Sequence, residues 1–336
     1  MKTIGPDNTI LSAHSPYLRC NGGINAGCGI RGTTRKPIPG FLSKIIHRQI
    51  STRDPWSWRA RFTTPYAKGD NRTMDAALAE IIYEDQIQQV TWRGVSIADG
   101  GLFDAFIVDD VASRLHDEKG KEQFESHLRG LTKTDFAQEN LKEILAAAVP
   151  EERKWAIGEA LAEAYLGCQH NVIWPWNMER DKRSPKASLP GADLIGFEIH
   201  EEHTRLVLGE VKTSSDADAP PGVMTGRSGI IHQIDNIAND LGLIHQLLGW
   251  LFFRCKNTEY ERSYNAALTI YLESGNRAVT LFGVLIRDTL PNPKDLKNRG
   301  AALAEVLQHP TACQLIAIYL PCAIVELPDR IAGCGS

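Results

Sequence analysis

The sequence predicts an α/β (α+β) fold, a central mixed sheet flanked by helices with a mixed α/β accessory region before it. Three observations predict it. Two alternating apolar runs, "ADLIGFEIH" and "RLVLGEVKT", flank the polar turn "EEHT" and read as a hairpin. The runs "RAVTLFGVLIRD" and "CQLIAIYLP" read as strands on either side of the helical "PKDLKNRGAALAEVLQH". Upstream, "PEERKWAIGEALAEAYLG" has apolar residues at the three- and four-residue spacing of a packed helix.

Taken in order, residues 1–54 are rich in Gly, Pro and Asn without a period and read as an extended or weakly ordered arm. Residues 55–145 read as the accessory region and a possible partner surface. There "DAFIVDDVA" is a short apolar run in which Asp109 and Asp110 read as a strand-end turn, the alternative being a second acidic site. The segments "GKEQFESHLRGL" and "TDFAQENLKEILAAAV" read as helices. Residues 146–330 form the main domain. Pro150, with Glu151 and Glu152 behind it, starts a helix that Gly167 can stop. Beyond the hairpin, "SGIIHQIDNIANDLGLIHQLLGWLFFRC" reads as one long buried helix and "NAALTIYLES" as a strand. The order expected from Pro150 onward is α, β-β hairpin, α, β, β, α, β.

Composition narrows the classes. The 336 residues are 43% hydrophobic and 23% charged, ordinary for a globular chain. No apolar run reaches the roughly 20 residues that cross a bilayer, so no membrane is expected. The first residues, "MKTIGPDNTILSAHS", lack the apolar stretch of a secretory signal. Seven cysteines with no CxxC pair read as free thiols in a reducing compartment, hence a cytoplasmic location. The net charge of −4 neither advertises nor excludes nucleic acid. Neither a GxxxxGK[ST] loop nor a GxSxG elbow occurs, which argues against ATP hydrolysis and serine-hydrolase chemistry.

The chemistry concentrates on the hairpin. Side chains alternate along a strand, so Glu210 and Lys212 share a face. With the turn centred between Glu202 and His203, Asp193 lies across from Lys212, and all three meet at one end of the hairpin. In the preceding helix Ile157, Leu161, Ala164 and Cys168 make one apolar stripe, and Glu159 and Glu163 sit on another that is also flanked by apolar residues. A helix apolar on both sides is mostly covered, so Glu159 is no ordinary surface charge. Gly158 beside it suits close approach to the sheet. Buried charges are costly unless paired or bound to metal. Carboxylates with room for waters suit Mg²⁺, with Mn²⁺ as a substitute. A lysine beside such an ion can orient a water and stabilise charge on a phosphoryl oxygen. A purely structural ion pair is the competing reading.

These residues resemble the PD-(D/E)xK nuclease superfamily, whose core is a helix bearing Glu, a strand with Asp and a strand ending in (D/E)-x-K. The matching segments are "IGEALAEA", "PGADLIG" and "LVLGEVKT", with "GA" before the Asp in place of a strict Pro-Asp. The resemblance implies that Glu159 is the helix acid, with Glu163 as a substitute. It makes Asp193 the main metal ligand, Glu210 the second, and Lys212 the residue that positions the attacking water. It also implies that the Val211 backbone carbonyl joins the metal shell. Within the superfamily the layout "GEALAE … GADLIG … LGEVKT … IAIYLP" is similar to HamA-type proteins, the nuclease subunits of Hachiman antiphage systems. That narrower likeness implies DNA cleavage restrained by a separate helicase until infection.

Supporting features are weaker. Arg180, Lys182, Arg183 and Lys186 in "ERDKRSPK" form a basic loop that could grip DNA phosphates, or a plain polar loop. Trp174 and Trp176 could stack on bases, though such aromatics more often pack. "SSDADAPPGVMTGRSG" has the composition of a flap or of a linker. His200 and His203 fall toward the turn, away from the acids, and His232 offers little. The expected activity is metal-dependent DNA endonuclease, the effector of an antiphage system acting with a helicase. The alternatives are an RNA endonuclease or restriction-type enzyme with the same core, and a silent binding scaffold.

Overall fold

The computed structural model describes residues 77–147, 153–182, 191–201, 203–226 and 228–333. The expected arm of residues 1–54, the first part of the accessory region, and Arg183 and Lys186 lie outside the described residues.

The first described elements are a hairpin of β1 (Ala79–Ile87) and β2 (Val90–Ile97). The chain then coils through α1 (Gly101–Ala105), a wider π turn (Phe106–Val111) and α2 (Ala112–Leu115). Asp109 and Asp110 therefore sit on a helical turn, which corrects the expected strand end. Phe103, Phe106, Ile107, Val111 and Leu115 are buried at the three- and four-residue spacing of a helix, and that periodicity outweighs the β-branched content. Helices α3 (Glu118–Leu131) and α4 (Asp135–Ala146) follow as expected. Asp117 and Thr134 cap them, each accepting a backbone N–H with its side chain.

The segment that positions the site begins with α5 (Ile157–His170), stopped by Asn171 in the left-handed conformation. The two-residue β3 (Val172–Ile173) and the single turn α6 (Met178–Asp181) lead to β4 (Leu194–Ile199) and β5 (Thr204–Ser214). Three helices come next, α7 (Ile230–Asn239), α8 (Leu241–Cys255) and α9 (Glu261–Glu273). Then come β6 (Val279–Arg287), α10 (Lys297–Val306), β7 (Ala312–Tyr319) and α11 (Leu327–Gly333).

Two expectations change here. The long helix is broken at Asp240, whose carboxylate accepts from Gly242 and Leu243 N–H and so starts α8 afresh. "NAALTIYLES" is helical, not a strand. The buried residues of α9, Ser263, Tyr264, Ala267 and Tyr271, recur every three or four positions, which a strand cannot present on one side. Thr, Ile and Tyr imitate a strand locally, and packing on the sheet decides otherwise.

The seven strands among the described residues join one mixed sheet in the order β1-β2-β7-β6-β5-β4-β3. The central neighbours β2, β7, β6 and β5 run parallel, and the outer pairs are antiparallel. β6 is buried along its whole length, as expected of a strand covered on both faces. The core runs continuously under both layers. α5 covers one face. A Cβ on Gly158 would run into the Thr213 hydroxyl, so glycine there lets α5 approach β5 closely. α7 and α9 cover the other. A Cβ on Gly283 would meet Ile234 of α7, and Phe197 of β4 stacks edge-on with Tyr264 of α9. Among the described residues no helix is long and apolar enough to cross a membrane.

Candidate metal centre

β5 outruns its partner. The hairpin register pairs Ile199 with Thr204 and Leu194 with Gly209, so Glu210 to Ser214 have no β4 residue beside them. This register is two residues from the expected one and brings Asp193 abreast of Glu210 rather than Lys212. A shift of two preserves the side-chain faces, so the cluster survives.

Asp193 fills the gap that the short strand leaves. Its N–H donates to the Gly209 carbonyl at 3.0 Å, and its Oδ2 accepts from the Val211 N–H at 3.0 Å. The carboxylate thus replaces a missing ladder partner. The N–H and C=O of a strand residue project to the same side, so the Val211 carbonyl is directed toward Asp193 as well.

Glu210 is only 5% exposed, and its Oε1 accepts from Lys212 Nζ at 2.6 Å. Burial and the neighbouring Asp193 carboxyl, opposed by Lys212, together raise Glu210 to about 7. Glu159, in the first turn of α5, accepts from Lys182 Nζ at 2.6 Å. Burial lifts it to about 7 against the pull of Lys182, with Asp193 adding repulsion.

The acids approach from two layers. Thr213 faces α5, so by alternation Glu210 and Lys212 face the α7 side. Glu159 reaches in from α5, and Asp193 at the strand start is the group that feels both glutamates. Their oxygens do not all close on one point. Among the described residues the one set of three ligand groups lying within 4.8 Å of one another is His116, Glu118 and Glu179. That set is already neutralised. Glu179 holds Lys121 at 3.1 Å and Arg153 at 3.2 Å, and Lys121 holds Glu118 at 2.7 Å.

Several expected residues fall elsewhere. Glu163 is wholly buried, with Arg114 Nε at 2.7 Å from its Oε2, which makes it part of a core ion pair rather than a substitute for Glu159. Burial holds its carboxyl above the ordinary range. Trp174 and Trp176 are packed, their indole N–H groups donating to the carbonyls of Glu163 and Ile195, so they present no face for a base. Lys182, expected on an exposed basic loop, is 3% exposed and points at Glu159. Arg180 is at the surface but pairs with Asp181 at 2.9 Å. His200 lies 3.2 Å from Glu198 and stacks on His203, remote from the acids. The segment with flap-like composition is tied down, its Asp216 carboxylate accepting from Gly222 N–H and Arg287 donating to the Asp218 carbonyl. Among the described residues Cys255, Cys313 and Cys322 form no disulfide.

The raised carboxyls make a stability prediction. A carboxyl with a folded-state pKa of about 7 and an ordinary value of 4.5 binds its proton more tightly in the folded chain. The stabilisation is complete below about pH 4.5 and lost as pH climbs through about 7. The chain without divalent ions should therefore melt at a lower temperature at about pH 8 than at about pH 5.5. Glu210→Gln should flatten that slope in a thermal-melt series, and an unchanged slope would refute the assignment.

Comparison of the chain with family models, with curated proteins and with solved structures returns no significant match.

Proposed function

We propose that the chain is a metal-dependent phosphodiesterase acting on DNA, with a PD-(D/E)xK-like core formed by α5, β4 and β5. The observation that carries this reading is the strand end itself. Asp193 and Glu210 are neighbouring carboxyls, Lys212 is hydrogen-bonded to one of them, and the Val211 peptide is hydrogen-bonded to the other. A structural ion pair would need one acid and one base. Here Glu159, Asp193 and Glu210 outnumber Lys182 and Lys212, so with the carboxyls deprotonated, as metal binding requires, the cluster carries one excess negative charge. Hard oxygen donors with that excess fit Mg²⁺ or Mn²⁺.

Asp193 and Glu210 would hold the ion, with the Val211 carbonyl as a third donor. When bound, the ion supplies Lewis-acid stabilisation of charge on a phosphoryl oxygen. Asp193 stays oriented by the Val211 N–H. Lys212 holds Glu210 by one N–H and has two more donors with which to align a water for in-line attack. The helicase partner and antiphage setting belong to this proposal through the HamA resemblance alone.

The test is purified protein on supercoiled plasmid with Mg²⁺, with Mn²⁺ and with chelator. Nicking or linearisation that needs the metal is the expected result. Parallel reactions on RNA and single-stranded DNA assign the substrate. No cleavage together with no Mn²⁺ binding by calorimetry would overturn the proposal.

A further inference from the structure

We infer that the metal centre takes a single divalent ion, and that the buried ammonium of Lys182 stands permanently where a second ion would otherwise sit. The inference rests on the proposed nuclease reading and goes beyond it. It changes the role of Glu159 from ligand to counter-charge.

Four observations carry it. Lys182 Nζ lies 2.6 Å from Glu159 Oε2, and the lysine is 3% exposed. The ammonium also sits 5.7 Å from the Trp155 ring centroid, on the aromatic face that attracts cations. Glu159 is thus met by a cation from within the chain. The Asp193 carboxyl also acts on Glu159, against the ammonium, so a second ion bridging those two acids would need the Glu159 oxygen that Lys182 Nζ already holds. Finally, Glu159, Asp193 and Glu210 do not close around a common point, as three ligands of one ion would.

The charge count agrees. Lys182 cancels Glu159, and Lys212 half-cancels the Asp193–Glu210 pair. With the carboxyls deprotonated, as metal binding requires, one divalent ion then brings the cluster from one excess negative charge to one excess positive charge, suited to a phosphodiester anion. A second ion would leave three excess positive charges in a covered site, which is costly. Lys182 is a positioning residue: it holds the Glu159 carboxyl in place without touching the substrate.

Mn²⁺ titration by calorimetry, with full-length protein and no nucleic acid, tests this. Wild type should bind one Mn²⁺. Glu159→Gln should bind the same ion with affinity within about threefold, because a residue outside the ligand set moves the affinity less than the 10–100-fold typical of supporting ligand partners. Lys182→Met, which keeps the length and loses the charge, should bind two. A stoichiometry of two in wild type, a loss beyond about tenfold in Glu159→Gln, or one ion in a folded Lys182→Met would each overturn the inference. Should Lys182→Met fail to fold, the wild-type and Glu159→Gln titrations decide alone. No binding by wild type would instead refute the metal reading on which this one stands, so the two failures are distinguishable.

Discussion

Lys212→Ala should leave supercoiled plasmid intact under conditions in which the wild type cleaves it, a loss of at least about 10²–10³ in rate, the usual cost of one preorganised charge-stabilising donor. Lys212 is the cation at the strand end that faces the proposed reacting position. Lys182 is committed to Glu159 and cannot take its place. Removing it leaves Glu210 with burial and the Asp193 carboxyl acting on it and nothing opposing them. Glu210 then holds its proton more tightly, and the ion site is weakened along with the aim of the water. Lys212 is partly exposed near the end of β5, so the truncation should cost little stability. A thermal melt close to wild type must accompany the loss. A cleaving Lys212→Ala chain would exclude the proposed mechanism outright.

The second large effect is structural and separates the two glutamates of α5. Arg114→Ala should lower the unfolding free energy by about 3–5 kcal/mol, the cost of stranding one member of a buried ion pair. Glu163 is fully buried and Arg114 Nε is 2.7 Å from its Oε2, while its Oε1 has no hydrogen-bond partner. The same guanidinium donates to the Trp176 carbonyl at 2.6 Å, tying α2 to the segment after β3. Without it, Glu163 must be protonated or exposed. Urea denaturation should show most of the loss recovered when Glu163→Leu is added, because two apolar groups need no partner. A single-variant loss below about 1 kcal/mol would show the pair to be solvated.

The parts of this fold that could be read in the sequence were those whose signal is local. Alternation in "RLVLGEVKT" placed Glu210 and Lys212 on one face, and that holds in the structure. Gly158 announced the close approach of α5. The hairpin register was off by two because the polar turn gives no unique centre, and parity rescued the cluster. The misreading of "NAALTIYLES" has a different source. Its residues favour a strand one by one, while the burial of Tyr264, Ala267 and Tyr271 against β4 and β5 is visible only once the sheet exists. β3 is too short to carry a period. Lys182 was the least legible residue. Lysines beside Arg and Asp in a proline-flanked stretch ordinarily lie in water. Only the neighbourhood of Glu159 and Trp155, both more than 20 positions away in sequence, turns this one inward.

The parallel pairing of β2 with β7 bears on how the chain matures. Val90 of β2 lies beside Cys313 of β7, about 220 residues later. On a ribosome adding roughly 5–20 residues per second, β2 spends about 10–45 s with one long edge unclaimed. During that interval the hairpin can be sealed only by something other than its native neighbour. Val90, Trp92 and Val95, all buried in the finished sheet, are then the surface most exposed to mispairing. The last described strand is the one that joins the two halves of the sheet, so the earliest and latest described strands enter the native state together.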